Sequence, residues 1–384
     1  MQIFFSNHYM GPDFGVKLRC GEHWKKVFGP VFIYLNSDSS GTNNPRTLWK
    51  DARKQMLRET KKWPYDFPSS KDFPNAKQRG EIRGRLLVYD EYINSELMPA
   101  RSAYVGLAPL GDEGSWQDDS KGYQFWTRAD RKGFFSIRHV RAGTYNLYAW
   151  VPGFTGDFKH EDEVVINPGS EIEIGDLVYD PPRSGPTLWE IGVPDRTAFE
   201  FFVPDPAPGF INKLYINHTE KYRQYGLWDR YKDLYPTKDL VYDVEFDDYR
   251  KDWFFAHVTR NMGNNTYEPT TWQIRFRLKT ISRDGDYTLR IALASATMAN
   301  IQVWVNHVNG SGPHFTTGRI GRDNAIARHG IHGKYWLYTV DISGNQLVHG
   351  NNIIYLKQAT LKTSPFAGVM YDYIRLEAPS QQDY

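Results

Sequence analysis

Apolar residues along this chain recur mostly at every second position, in runs too short for helices and too well punctuated for loops. Between residues 79 and 182 the runs are EIRGRLLVYD, SAYVGLAP, YQFWTRAD, GFFSIRHV, GTYNLYAWV, DEVVINPG and EIEIGDLVYDPP. Each is closed by Gly, Pro or Asp. Strands of that length and spacing predict a small antiparallel sandwich. After a PPRSGP linker, residues 187–384 carry FEFFVP, LVYDVEF, DWFFAHV, TWQIRFRL, GDYTLRIALAS, NIQVWVN, KYWLYTVDI, NNIIYLKQA and VMYDYIRLEA. These predict a two-sheet jelly roll.

The front of the chain is patterned differently. VFGPVFIYLN places Val27, Phe28, Val31, Phe32, Ile33, Tyr34 and Leu35 around a Gly29-Pro30 break, which predicts a buried strand. Leu48, Ala52, Met56 and Leu57 then fall at helical spacing and predict one helix from about Pro45 to Lys61. Asn43 and Asn44 precede it as caps, Pro45 suits its first turn, and Pro64 stops it. WPYDFPSSKDFPNAKQRG reads as a linker. Three segments follow: 1–78, 79–182 and 187–384.

Composition removes several classes of function. A formal net charge of +2 over 384 residues argues against a dedicated nucleic-acid binder. Cys20 is the single cysteine, which excludes a disulfide framework or a Cys-based zinc site. No run approaches the ~18 apolar residues of a membrane-spanning helix. MQIFFSNHYMGPDFG lacks the basic and apolar regions of a signal peptide. Asn217, Asn264 and Asn309 each head an Asn-x-Ser/Thr triplet, the acceptor pattern of a secreted glycoprotein. Gly-rich phosphate loops, His-Glu-x-x-His and DxDxDG-type calcium loops are missing, so no cofactor is expected; calcium stays open, with no motif to indicate it.

Aromatic rings against sugar C–H faces, with Arg bonding to carboxylates, would bind an acidic glycan. DDYRKDWFF offers Asp247, Asp248, Tyr249, Arg250, Lys251, Asp252 and Trp253, and YDYIRLE offers Tyr371, Asp372 and Arg375. Arg250, Trp253, Tyr371 and Asp372 are the substrate-binding candidates. Trp253, Phe254 and Phe255 equally fit the core of a strand, and Arg250 and Lys251 fit ordinary surface charge. His8, beside Tyr9 in SNHYMG, is a weak catalytic candidate. Lys25 and Lys26 next to Trp24 could hold a uronate or form a solvated face.

GEHWKKVFGPVFIYLN, RGEIRGRLLVYD, GTYNLYAWVPGFTGDF, LWEIGVPDRTAFEFFVPDP, LWDRYKDLYPTKDLVYDV, YRKDWFFAHVTR and VMYDYIRLE together resemble plant rhamnogalacturonan lyases of polysaccharide lyase family 4. The resemblance runs over essentially the whole chain. It implies a mainly β architecture: the C-terminal remnant of a β-sandwich lyase domain in 1–78, a fibronectin type III-like sandwich in 79–182, and a carbohydrate-binding-type β jelly roll in 187–384. It also implies a rhamnogalacturonan endolyase that cleaves pectin between rhamnose and galacturonate by β-elimination, extracellularly in the cell wall, as a monomer. In that reaction a base takes the C5 proton while a cation offsets charge growing on the carboxylate. The Lys and His that the family uses match no residue here and are expected upstream. The alternative is a non-catalytic pectin-binding protein, or an incomplete gene product. His257 stands where the family pattern has Gln.

Overall fold

A computed structural model describes residues 10–37, 44–206, 225–307, 312–327, 332–360 and 365–380. The front holds one long helix, α1 (Pro45–Lys62), capped by the Asn44 side chain, which accepts the Arg46 N–H at 3.0 Å. Trp63 ends it just before Pro64, as the sequence predicts.

The expected strand at 27–35 does not form. Residues 27–35 join no ladder among the described residues, and most of them are exposed, with Phe32 at 51% and Leu35 at 87%. Its apolar alternation lacks a partner edge among the described residues, and an unpaired strand has no ladder to hold it. Instead the front is held by its polar groups. Asp13 accepts the Arg322 N–H of the last domain, and Met10 O accepts that of Asn324. Further on, Lys26 Nζ donates to Ser120 O and Gly122 O, and Trp24 Nε1 donates to Lys121 O.

The middle domain has nine strands among the described residues. They are β1 (Arg79–Asp90), β2 (Asn94–Pro99), β3 (Tyr104–Ala108), β4 (Phe125–Arg128), β5 (Phe134–Arg141), β6 (Gly143–Trp150), β7 (Phe158–Lys159), β8 (Val164–Ile166) and β9 (Glu171–Tyr179). In one sheet β1 pairs antiparallel with β2 and β5 and parallel with β9; in the other β4-β3-β6 continues to β7 and β8. Ile82, Leu86, Val105, Leu107 and Leu147 are fully buried between the sheets. Gly106 is required there, because a Cβ would sit 2.2 Å from the Trp126 ring.

The last domain begins with β10 (Thr187–Gly192), β11 (Val241–Asp243), β12 (His257–Val258), β13 (Arg260–Gly263) and β14 (Thr266–Glu268). It continues with β15 (Thr270–Leu278), β16 (Asp286–Ala299), β17 (Ile301–Val305), β18 (Phe315–Thr316) and β19 (Ile320–Arg322). β20 (Trp336–Ser343), β21 (Gly350–Gln358) and β22 (Gly368–Glu377) complete it. One sheet runs β10-β22-β16-β19 with β12 and β20 attached; the other runs β11-β15-β21-β17-β18. In β15, Trp272, Ile274, Phe276 and Leu278 turn inward while Gln273, Arg275 and Arg277 turn outward. β22 is buried at all ten positions, because its second face meets the linker and a loop after β10. There Arg375 donates to Pro182 O, Glu377 accepts the Ser184 N–H, and Asp372 accepts from Asp195 and Arg196.

FEFFVP and DWFFAHV are shorter in the fold than their patterns predict. The two share a single bridge, Phe202 to Phe254, and the second adds only the two residues of β12. Phe201, Trp253, Phe254 and Phe255 are buried in the core with Phe202 packed against it, whereas Phe199 is exposed.

Candidate functional site

A cavity of about 720 Å³ opens between the middle and last domains. One wall comes from β3, β4 and β6. Tyr104 and Trp150 are direct neighbours across the β3–β6 ladder, and their rings stack at 4.3 Å and 11°. Arg128 pairs with Tyr104 across the β3–β4 ladder, and its guanidinium lies 4.9 Å over that ring. Arg128 is exposed and forms no ion pair among the described residues. Gln117, Gln124 and Trp116 extend the wall.

The opposite wall is the loop after β10, with Asp195, Arg196 and Thr197, and the segment leading into β20, with His332, Gly333 and Tyr335. Met10 and Phe14 of the front segment form a third side.

Arg196 is the centre of the junction. It is 9% exposed, and its guanidinium lies 4.2 Å from the Tyr335 ring centroid, 4.9 Å from Trp150 and 5.7 Å from Trp116. Its Nη2 donates to Gly156 O at 2.9 Å and pairs with Asp157 at 3.0 Å, both in the middle domain. Nη1 is buried without a hydrogen-bond partner among the described residues. The junction is closed further by Gly156 N–H donating to Tyr335 Oη at 3.2 Å and Tyr335 N–H donating to Gln117 Oε1 at 2.9 Å. Trp116 Nε1 donates to Asp157 Oδ1 at 3.0 Å, and Lys334 pairs with Asp118.

Burial decides the protonation of the groups behind this wall. It raises the Tyr335 phenol well above its ordinary range, with Asp372 nearby adding to the effect, so the hydroxyl keeps its proton. Burial likewise pushes Asp372 far above the usual carboxylate range, with Asp195 acting in the same sense. Glu113 is raised by burial and then by the Asp157 charge. The cleft therefore presents aromatic rings, the exposed Arg128 guanidinium and a few acceptors, with the Arg196 guanidinium buried behind them. That set can hold a sugar face and a carboxylate. Tyr335, with its proton held and its oxygen engaged, is unsuited to act as a base.

The four sequence candidates do not assemble into a surface. Trp253 and Tyr371 are fully buried, with ring centroids 5.5 Å apart in a T-shaped contact. Neither ring has a face left for a sugar, so the expected direct contact is corrected: both belong to the core. Arg250 is exposed on the short helix Tyr249–Asp252, where its guanidinium lies 5.5 Å over Tyr249 and away from the cleft residues. Asp372 is 1% exposed and reaches the cleft indirectly, through the backbone of Asp195 and Arg196. His8 lies outside the described residues. Lys26 is committed to carbonyls, and Lys25 pairs with Asp72 at 2.5 Å. Tyr104, Arg128, Trp150 and Arg196 escaped sequence reading because they come from three strands and a loop of two domains. GTYNLYAWV, which holds Trp150, reads as a strand, and LWEIGVPDRTAFEFFVPDP, which holds Arg196, enters only through the family resemblance.

The chain is a mainly β protein in which a fibronectin type III-like sandwich is joined to a carbohydrate-binding-module-like jelly roll. Residues 100–174 match domain II of polysaccharide lyase family 4 and residues 187–376 match domain III. The chain belongs to that family. It is 27% identical over 381 residues to a rhamnogalacturonate lyase of Dickeya dadantii, which covers 98% of this chain and 56% of that protein. Against rhamnogalacturonate lyase B of Emericella nidulans it is 27% identical over 296 residues, 72% of this chain and 41% of the relative. The chain thus spans about half the length of the curated relatives it matches. Among solved structures, the dioxygenase domain of a dioxygenase–carbohydrate-binding fusion from a Streptomyces superposes with a TM-score of 0.20 at 12% identity, covering 29% of this chain and 85% of that one. That superposition is too poor to bear on the fold.

Proposed function

We propose that this chain is the substrate-holding part of a rhamnogalacturonan lyase and binds acidic pectic oligosaccharide in the cleft between its two β domains, outside the cell. The observation that carries the reading is the pairing of the stacked Tyr104 and Trp150 rings with Arg128 and Arg196 in one cavity. The relatives named rhamnogalacturonate lyase support pectin as the polymer. Bond cleavage belongs, on this reading, to the Lys and His of the family, which match no residue here. A non-catalytic pectin-binding role is the second reading, favoured by a cleft lined mainly by aromatic rings, amides and two arginines.

Titration calorimetry with rhamnogalacturonan oligosaccharides tests the proposal. Binding in the millimolar to high micromolar range is expected, corresponding to ~4–6 kcal/mol. Arg128→Gln should weaken it about tenfold, and raised salt should weaken the wild type more than the variant. An unchanged isotherm for Arg128→Gln would remove the cleft as the site. A parallel absorbance assay for unsaturated products separates the two readings: a steady signal from the purified chain would assign it the cleavage as well.

A further inference from the structure

The outward face of the five-stranded sheet β11-β15-β21-β17-β18 lies on the last domain, away from the cleft. Its side chains are fixed by register. Arg275 stands opposite Ile353 and beside Asp243, and Arg277 opposite Asn351. In the next row, Gln273 stands opposite Tyr355, which neighbours Trp304; Lys357 follows, its Nζ 5.8 Å over the Trp304 ring. A depression of about 380 Å³ lies at the edge of this face, lined by Asp243, Glu245, Phe246, Arg275, Arg277 and Asn351 among others. Phe246 is 82% exposed, an expensive position for an aromatic ring that packs on nothing.

We propose that this face is a second binding surface, distinct from the cleft, for an acidic glycan strand: Phe246 and Tyr355 offer rings, Arg275, Arg277 and Lys357 offer cations to uronate carboxylates, and Asp243 and Asn351 accept hydroxyls. Arg275 and Arg277 leave one strand on the same side, so their Cα atoms are roughly 7 Å apart. Two charges at that separation suit a polymer with repeated carboxylates better than a compact anion. The neighbouring Asp243 and Glu245 distinguish the partner further. They accept hydrogen bonds from sugar hydroxyls, which a DNA backbone does not offer, and a net charge of +2 supplies no wider field for a nucleic acid. Two separate surfaces on one rigid pair of domains would raise the apparent affinity for a long chain over that for a short one.

The test uses the whole chain and an oligogalacturonate of about ten residues, titrated at low and high salt. Two sites per chain are expected. Substituting Arg275→Gln together with Arg277→Gln should leave one site, and adding Arg128→Gln should remove the other. All three side chains are exposed, and an unchanged melting temperature confirms that the fold is intact. Phe246→Ala should weaken the sheet site about tenfold without altering its salt dependence. The inference stands on its own if Arg128→Gln alone changes nothing while the Arg275 and Arg277 substitutions remove binding. It falls if those two substitutions leave stoichiometry and affinity unchanged. It also falls if a neutral galactose oligomer binds the face as well as the acidic one, or if single-stranded DNA displaces the oligogalacturonate from it.

Discussion

Asp372 Oδ1 accepts the backbone N–H of Arg196 at 2.6 Å and that of Asp195 at 3.0 Å, and so fixes the backbone from which the junction guanidinium projects. Arg196 has φ of +66°, a left-handed conformation that a non-glycine residue keeps only when its surroundings hold it. A side chain in the middle of β22 thereby sets the direction of a side chain in the cleft.

Asp372→Ala should therefore cost ~2–4 kcal/mol of stability, because two buried N–H groups lose their acceptor, and should also weaken oligosaccharide binding. Asp372→Asn keeps an acceptor oxygen and should cost ~1 kcal/mol or less, since burial already favours the uncharged acid. Urea midpoints of the two variants check this. Equal losses for both would mean that the charge, not the acceptor, matters.

Two buried groups give opposite dependences on pH. Burial raises Glu200 to about 7, so its folded form keeps a proton that the unfolded chain has already released. Its contribution is full below about 4.5 and fades as pH climbs to 7. Burial lowers His257 to about 3, so its neutral ring contributes fully above the unfolded value of about 6.5, and that contribution is lost as pH falls toward 3. Glu200→Gln should remove a loss on the order of 2 kcal/mol between pH 4.5 and 7. His257→Gln should cost ~1–2 kcal/mol at pH 8, where the ring stacks on Trp272 at 4.1 Å, and progressively less as pH drops below 6.5. Denaturation midpoints from pH 4 to 8 measure both. Parallel curves for wild type and either variant would contradict the assignment.

Trp150→Ala should weaken binding in the cleft by about tenfold, since a stacked ring contributes ~1 kcal/mol or more. Unlike the effect of Arg128→Gln, this loss should be the same at low and high salt. A salt-sensitive loss would show that Trp150 acts by positioning Arg196 rather than by touching the sugar.

Limited chymotrypsin digestion should cut first between residues 31 and 36. Phe32, Tyr34 and Leu35 are exposed there on backbone that no strand protects. The product beginning near α1 should then persist. An earlier cut within residues 79–192 would contradict this order of protection.

Most of the fold was readable because alternation maps directly onto burial. TWQIRFRL places Trp272, Ile274, Phe276 and Leu278 inward with no exception, and Pro64 closes α1 where its geometry demands. Reading failed where a pattern needed a neighbour. VFIYLN has the alternation of a strand but no described edge to join. Trp253 stood in a polar, charged stretch and fitted a sugar-binding ring and a core residue equally; it lies in the core, just after one turn of helix. Asp372 pointed toward the site for the wrong reason, since it supports the cleft from behind rather than touching a ligand. The cleft itself has no local signature, because Tyr104, Trp150 and Arg196 meet only once two domains have docked.

The guanidinium of Arg196 engages the middle domain through one nitrogen and leaves another unengaged. A lysine in its place, with a single nitrogen, would have to choose between neighbour and guest. With arginine, one nitrogen makes the contacts to both Asp157 and Gly156, and these need not be given up when the cavity fills. Filling the cavity would then leave the angle between the two sandwiches as it is. On the proposed reading the polymer meets a wall already assembled, with Arg196 held by the middle domain before any guest arrives.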